Sequence, residues 1–325
     1  MLKVIEFKKN KLFLLDERYI PEKKQYFVAK NVRDVAFAIK NMVVRGAPLI
    51  GVTAAYGMAL GYKNLQRSAK LLLNSRPTAV NLRWAVERIL NLKEKNFKAI
   101  LNEAKKIHRE DKKLCEKIAK NGAKLIPEGA KIITHCNTGM LATAGIGTAL
   151  GIILYARKKI NLVYVKETRP RLQGSKLTAW ELKENKIPYK IITDSTAAYL
   201  MKKEKIDACF VGADRISANG DFANKIGTYA LAIEAKFHRV PFYVAAPYST
   251  IDFKTKKGND IKIEEREKSE VLYINGKSIA PKGADAINSA FDVTPNFLVT
   301  ALITEKGILK HPDAKKLKKL YQGAT

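Results

Sequence analysis

The sequence predicts an α/β protein in two parts. A small, mainly helical N-terminal domain with a short β-hairpin occupies residues 1–125, and a parallel-sheet domain occupies 126–325. Three observations carry this division. Apolar residues recur at helical spacing up to about Gly122; the punctuation Pro127-Glu128-Gly129 follows; and beyond it short β-branched apolar runs alternate with helical stretches.

In order, the opening segment KVIEFKKNKLFLLD (3–16) alternates apolar and polar residues, as a hairpin does. Helical periodicity then marks Val32–Met42, Pro48–Tyr62, Ala79–Leu92 and the charged stretch Phe97–Asn121. In the second part, strands are expected at 131–136, 161–167, 189–194, 207–214, 241–247 and 296–304. Helices are expected near 143–158, 175–185, 195–203 and 222–237. Short buried runs alternating with helices build a parallel sheet with crossover helices on its faces, a Rossmann-like arrangement. Successive strands hand over to Cys136, Glu167, Asp194 and Asp214. Ligands of open parallel sheets bind outside the carboxyl ends of the strands, so a site is expected there.

Composition narrows the class. Among 325 residues, 46% are hydrophobic and 28% charged, which is globular rather than disordered. No apolar run approaches the roughly 18 residues of a membrane span, and the N-terminus lacks the apolar core of a signal peptide. A cytoplasmic protein with no membrane partner is the expectation. Cys115, Cys136 and Cys209 are too few and too scattered for a disulfide framework. No CxxC occurs and the four histidines never fall four apart, so no metal site is expected. The net charge of +29 raises nucleic acid as a partner, but the lysines are dispersed in pairs, and HPDAKKLKKLYQ (311–322) is their densest cluster. Without a recognition motif or interleaved aromatics, nucleic acid is not the expected partner. A positive surface does favour encounter with a phosphorylated substrate.

Several residues have the character of a site. Cys136, at a strand end before Asn137-Thr138-Gly139, reads either as a buried core cysteine or as a thiol activated by the helix after it. Asp214, after Gly212-Ala213, reads as a cap or as a general acid or base. Asn224 and Lys225 fall just inside the next expected helix, where an amide and an ammonium suit a hydroxyl and an anion. In RGAPLIG (45–51), Arg45 and Gly46 precede Ala47 and Pro48 at a helix start, an anion seat or a plain helix initiation. ETRPRLQGS (167–175) offers Arg169, Arg171 and Gln173. Gly145 and Gly147 lie about nine residues past the strand and lack the GxGxxG spacing, so they read as close helix–sheet packing. Glu264-Glu265-Arg266 reads as a surface ion-pair cluster.

Together these stretches resemble the methylthioribose-1-phosphate isomerase family, which shares a superfamily with ribose-1,5-bisphosphate isomerases and translation initiation exchange-factor regulatory subunits. The resemblance runs collinearly from about residue 30 to 310. It rests on RGAPLIGVTAAYG (45–57), RPTAVNLRWAV (76–86), THCNTGMLATAGIGTALG (134–151) and ETRPRLQGSKLTAWEL (167–182). It continues through ITDSTAAYLM (192–201), VGADRISANGDFANKIGTYALA (211–232), FYVAAPYSTID (242–252) and FDVTPNFLVTALITEKG (291–307). It implies a catalytic pair at Cys136 and Asp214. It implies substrate contacts at Arg45, Gly46, Ala47, Arg76, Gln173, Asn224 and Lys225, no metal and no cofactor, and a homodimer. Two stretches depart from the family pattern: Asn288-Ser289-Ala290, and Ser195-Thr196-Ala197-Ala198, which bears on the pocket for the substrate's 5-substituent.

The implied substrate is a furanose 1-phosphate, which cannot open as a free hemiacetal. Asp214 is the expected acid for the ring oxygen, in an apolar pocket that lifts its pKa above the usual ~3.9. Cys136 is the expected base at C2, with a hydride shift from C2 to C1 as the rival route. Ribose-1,5-bisphosphate and 5-deoxyribose-1-phosphate are alternative substrates. A non-catalytic translation-factor-like subunit is the alternative of another class.

Overall fold

A computed structural model describes residues 3–77, 79–274 and 276–322. Its contacts divide the chain into two units, Met1–Glu116 with Thr138–Gly147, and Lys117–Asn137 with Thr148–Thr325. The boundary read at 125/126 follows the change from helix to strand; the division by contacts falls earlier, within a long helix.

In the first unit, β1 (Ile5–Lys8), β2 (Lys11–Leu15) and β3 (Tyr26–Ala29) form an antiparallel sheet in that order. The hairpin turns at Lys9-Asn10, both with positive φ (49° and 53°), as a two-residue turn between twisted strands requires. Helices α1 (Val32–Lys40), α2 (Ala47–Leu60), α3 (Leu65–Ser75), α4 (Val80–Leu90) and α5 (Phe97–Gly122) follow. The apolar α2 is buried from Leu49 to Ala59, and Gly51 admits the Asn81 backbone of α4. Asn31 caps α1, its side chain accepting from the N–H groups of Arg33 (2.8 Å) and Asp34 (3.1 Å). Asn31→Ala removes that acceptor and is expected to lower stability by ~1 kcal/mol, measured as a shift in the urea midpoint.

In the second unit, the strands are β4 (Ala130–Thr134), β5 (Ile160–Lys166), β6 (Tyr189–Ile192), β7 (Ala208–Val211), β8 (Arg215–Ser217), β9 (Phe222–Lys225) and β10 (Phe242–Ala245). They continue with β11 (Ile251–Asp252), β12 (Tyr273–Ile274), β13 (Lys277–Ser278), β14 (Phe291–Thr294), β15 (Ala301–Thr304) and β16 (Gly307–Lys310). The main sheet has the order β16-β15-β10-β7-β4-β5-β6. All its pairings are parallel except β15 with β16. The chain thus builds outward from β4 to β5 and β6, then returns beside β4 with β7, β10 and β15, the doubly wound order with its switch point between β4 and β7.

Strand residues alternate between two cores, as the two-residue period dictates. Ile132, Val163, Phe210, Ala245 and Ile303 join the core that includes Leu150 and Ile153 of α6 (Ala149–Tyr155) and Leu182 of α7 (Ala179–Glu184). Ile133, Tyr164, Val211, Val244 and Leu302 join the other. That core takes in Leu200 and Met201 of α8 (Ala197–Lys203), Leu231 and Ala235 of α9 (Thr228–Phe237), and Leu317 of the terminal helix (Ala314–Gln322). Cys209 belongs to this core and Cys115 is buried in α5, so both act as packing residues. A separate, smaller sheet has the order β11-β8-β9-β14.

Two expected helices change. The helix near 143–158 begins only at Ala149, because Gly145 and Gly147 belong to a loop. Gly145 lies against Cys115 and the Lys112 backbone, and Gly147 (φ 97°) against Thr138 and Gly139, so their close packing is to α5 and the loop itself, not to the sheet. The helix expected over 222–237 is strand β9 followed by α9. Cross-strand pairing with β14 takes over its first four residues, and Gly227 (φ 96°) makes the turn.

Candidate active site

Strands β4, β5, β6 and β7 are neighbours, and their carboxyl ends deliver Cys136, Glu167, Asp194 and Asp214 to one edge of the sheet. Cys136 and Asp214 follow β4 and β7, the two strands that flank the switch point, where the crevice of a doubly wound sheet opens.

Cys136 is half-buried, with φ of 63°, the left-handed region that side chains other than glycine avoid. Such a conformation costs about 1–3 kcal/mol and persists only where neighbours enforce it. Here its N–H donates to Thr168 Oγ1 (2.9 Å) and its carbonyl accepts from Thr178 Oγ1 (2.6 Å). Next to it, Asn137 donates to the buried Glu181 (2.8 Å) and to Thr178 (3.2 Å). No helix begins directly after Cys136: a 3-10 turn follows at Met140–Ala142 and α6 starts at Ala149, so the expected helix dipole is absent from its immediate sequence.

Beneath the thiol lies a polar layer that sequence reasoning missed. His135 is fully buried, and its Nε2 donates to the Ile226 carbonyl (2.8 Å). Burial, reinforced by Lys166, pushes this imidazole down to about 4 and keeps it neutral at pH 7. Its Nδ1 lies 3.5 Å from Thr168 Oγ1, whose hydroxyl donates to the Lys166 carbonyl (3.0 Å). Asp194 accepts from the N–H groups of Thr168 (3.0 Å) and Arg169 (2.7 Å), so this strand-end carboxylate shapes the loop. Lys166 is buried and donates to the Gly227 carbonyl (3.3 Å), with the carboxylates of Glu234 and Asp292 in electrostatic reach. Asp292 in turn accepts from the Gly227 N–H (2.7 Å), and burial raises its carboxyl to about 6. A lysine in an apolar run reads as a solvated strand terminus, which hides this role.

Asp214 is exposed, in the open Gly212-Ala213-Asp214 turn that joins β7 to β8, rather than enclosed by apolar side chains as expected. Its N–H donates to the Ala223 carbonyl (2.9 Å) and so ties the turn to β9. Asn224 and Lys225 lie on that strand, not on a helix. Asn224 donates to Thr228 Oγ1 (3.0 Å), and Lys225 Nζ donates to the Ala290 carbonyl (2.7 Å) and sits 4.3 Å from the Phe291 ring centroid. Burial lowers the Lys225 ammonium to about 8; Cys136 and Asp214 pull it back up, while Arg266 and Arg171 push it further down. The expected catalytic pair therefore shares one electrostatic neighbourhood with Lys225. Since an anion binds the protonated amine, affinity for a phosphorylated ligand is expected to fall as pH rises through about 8. A pH series of inhibition by inorganic phosphate measures this.

Gln173 is buried just before the π-turn Gly174–Thr178, and its Oε1 has no hydrogen-bond partner among the described residues, as for a side chain that awaits a ligand. Arg171 and Arg169 are committed to the protein: Arg171 pairs with Glu270, and Arg169 donates to the Val271 carbonyl (2.8 Å). Arg266, expected in a surface cluster, has a side chain only 8% exposed.

Arg45, Gly46, Ala47 and Arg76 belong to the first unit. Arg45 and Arg76 are half-buried, the Arg45 N–H donates to Glu17 Oε1 (3.0 Å), and Arg76 ends α3. No side chain caps the first turn of α2, which Gly46 opens at φ 75°. A Cβ at Gly46 would run into the Ala142 backbone, so this glycine has a steric reason as well. Among the described residues no cluster of His, Cys, Asp and Glu could hold a metal, and no helix is long and apolar enough to cross a membrane.

Residues 43–311 match the Initiation factor 2 subunit family. The methylthioribose-1-phosphate isomerase of Caldicellulosiruptor saccharolyticus is 51% identical over 99% of this chain and 100% of its own. The crystal structure of 5-methylthioribose 1-phosphate isomerase from Pyrococcus horikoshii OT3 is 40% identical, covers 99% of this chain and 96% of its own, and has a TM-score of 0.94. That of translation initiation factor eIF-2B, subunit delta, from A. fulgidus is also 40% identical, covering 98% and 100%, with a TM-score of 0.89.

Proposed function

Because the chain belongs to the Initiation factor 2 subunit family, in its methylthioribose-1-phosphate isomerase branch, we propose that it converts 5-methylthioribose 1-phosphate into 5-methylthioribulose 1-phosphate, a step of methionine salvage. One observation carries the reading furthest. Cys136 and Asp214 stand beyond the two strands that flank the switch point, and both act on the buried ammonium of Lys225.

The chemistry suits these groups. Isomerisation moves one hydrogen from C2 to C1 and needs neither oxidant nor reductant, so side chains suffice without a cofactor. Asp214 protonates the ring oxygen as the bond from C1 to that oxygen breaks, and Cys136 as a thiolate takes the C2 proton to leave a C1–C2 enol. The Cys136 thiol then returns the proton to C1 while the C2 hydroxyl gives its proton to the Asp214 carboxylate, leaving a carbonyl at C2. Lys225 holds the phosphate, while Asn224 and Gln173 take hydroxyls. Arg45, Gly46, Ala47 and Arg76 are further proposed contacts, on the family resemblance alone. A hydride shift from C2 to C1 is the competing route. Reaction in D2O separates them, because only the thiolate route puts solvent deuterium at C1.

A homodimer acting in the cytoplasm completes the reading. The exposed row Tyr229, Ile233 and Phe237, at successive turns of α9, is an apolar surface that a second copy would cover. Light scattering reads this as twice the mass of the chain.

The test of function is phosphorus and proton NMR of the purified protein with methylthioribose-1-phosphate, ribose-1,5-bisphosphate and 5-deoxyribose-1-phosphate in turn. Ketose signals from the first are the expected result. Turnover of only one of the others keeps the mechanism and changes the substrate. A folded protein inert toward all three points to the regulatory role of the translation-factor relatives.

A further inference from the structure

Buried cations in this protein come with carboxylates, and two of them are under-supplied. Lys166 has Glu234 and Asp292 within electrostatic reach, and Arg171 is engaged by Glu270 through two nitrogens. Lys225 and Arg266 are matched less well: the carboxylate in electrostatic reach of Lys225 is that of Asp214, an exposed residue, with the half-buried Cys136 beside it. Lys225 is 6% exposed, and its one hydrogen bond among those described goes to the neutral carbonyl of Ala290. The Arg266 side chain is 8% exposed, and its Nε meets Glu264 Oε1 at 3.1 Å, a carboxylate side chain that is itself 36% exposed. Among the described residues, neither terminal nitrogen of Arg266 has a hydrogen-bond or ion-pair partner.

The two cations are held on one short stretch of chain. Arg266 N–H donates to the Asn288 carbonyl (2.9 Å), and Ala290 N–H donates to the Glu264 carbonyl (2.8 Å). The Ala290 carbonyl is the group that accepts from Lys225 Nζ. Both cations also approach the ring of Phe291, with Lys225 Nζ at 4.3 Å and Arg266 Cζ at 5.7 Å from its centroid. Two largely enclosed positive charges side by side repel each other, and with the fork of Arg266 unmatched, the solvent-facing carboxylates of Asp214 and Glu264 offset them only in part.

We propose that Arg266 is a second cationic member of the anion seat, and that with Lys225 it binds the phosphate monoester of the substrate. The proposal rests on the reading of Lys225 as a phosphate contact. A phosphate dianion resolves both defects at once. It neutralises the pair, and its oxygens accept from the two terminal N–H groups of the guanidinium, a geometry that arginine matches and lysine does not. Glu264, through Nε, fixes the plane of the fork. Arg171 is spent on Glu270 and serves to hold the 169–175 loop.

The experiment is calorimetric titration of inorganic phosphate into the whole protein, as wild type, Arg266→Met and Arg266→Lys, with urea unfolding of each unliganded form. Arg266→Met is expected to weaken phosphate binding about tenfold or more, the loss of charge-assisted hydrogen bonds. Its unliganded stability should equal or exceed the wild type, since a poorly compensated buried charge is gone. Arg266→Lys should recover part of the affinity. A purely structural ion pair gives the opposite pattern, reduced stability with phosphate affinity unchanged, and overturns the proposal. Failure of the wild type to bind phosphate at millimolar concentration overturns it as well. If the Met variant does not fold, the Lys variant decides: undiminished affinity rejects the fork. Phosphate binding that depends on Arg266, in a protein that turns over no sugar phosphate, leaves the anion seat standing and rejects the substrate assignment instead.

Discussion

Asp214→Asn and Cys136→Ala are each expected to lower turnover of methylthioribose-1-phosphate by ~10²-fold or more, with the fold intact. Asparagine keeps the shape of the aspartate and its backbone tie to Ala223, but has no proton to give the ring oxygen. Alanine at 136 keeps the backbone clamp, because Thr168 and Thr178 bond to the peptide groups of Cys136 and not to its sulfur. Loss of rate with unchanged unfolding is therefore the signature of chemistry rather than packing. Asp214→Asn carries a second, independent expectation. In the protein without substrate, the charge of Asp214 helps to hold Lys225 protonated, so its removal should move the alkaline loss of inorganic phosphate affinity below about 8. Near-normal turnover in either variant rejects the assigned roles.

Gly46→Ala should destabilise the first unit strongly, by about 3 kcal/mol or more. Two costs add. A φ of 75° is strained for alanine, and the new Cβ would occupy space held by the Ala142 carbonyl oxygen and Cα. Backbone cannot rotate away as a flexible side chain can, so either the start of α2 or the 139–142 turn must shift. Chemical denaturation measures the loss. A stable variant that merely binds phosphate poorly would locate the importance of Gly46 in its exposed backbone alone.

The doubly wound sheet was legible because its strands are buried on both faces, which leaves unbroken β-branched runs such as KIIT and NLVYV. Strand ends were legible for the same reason, and with them Cys136 and Asp214. What escaped depends on pairing between distant segments. FANKIGTY carries helical periodicity, yet its first four residues are a strand because Phe291–Thr294 lies alongside, a partner 66 or more residues away in the chain. Arg266 and Lys166 escaped for a related reason. A charged side chain announces solvent by its type, and only the fold shows which ones are enclosed. Glu264-Glu265-Arg266 looks like any surface cluster until residues 288–290 close over it.

The main sheet is open, and its two borders are β6 and β16. Any open sheet offers unpaired N–H and C=O groups to strands from other molecules, which is how folded proteins begin to polymerise. Here each border is four residues long, β6 is introduced by Pro188 and carries an outward Lys190, and β16 ends in an exposed Lys310. Proline removes a donor and the lysines make neighbouring copies repel. Two lysines of this chain thus stand where strand-to-strand association would begin, a placement that involves no ligand at all.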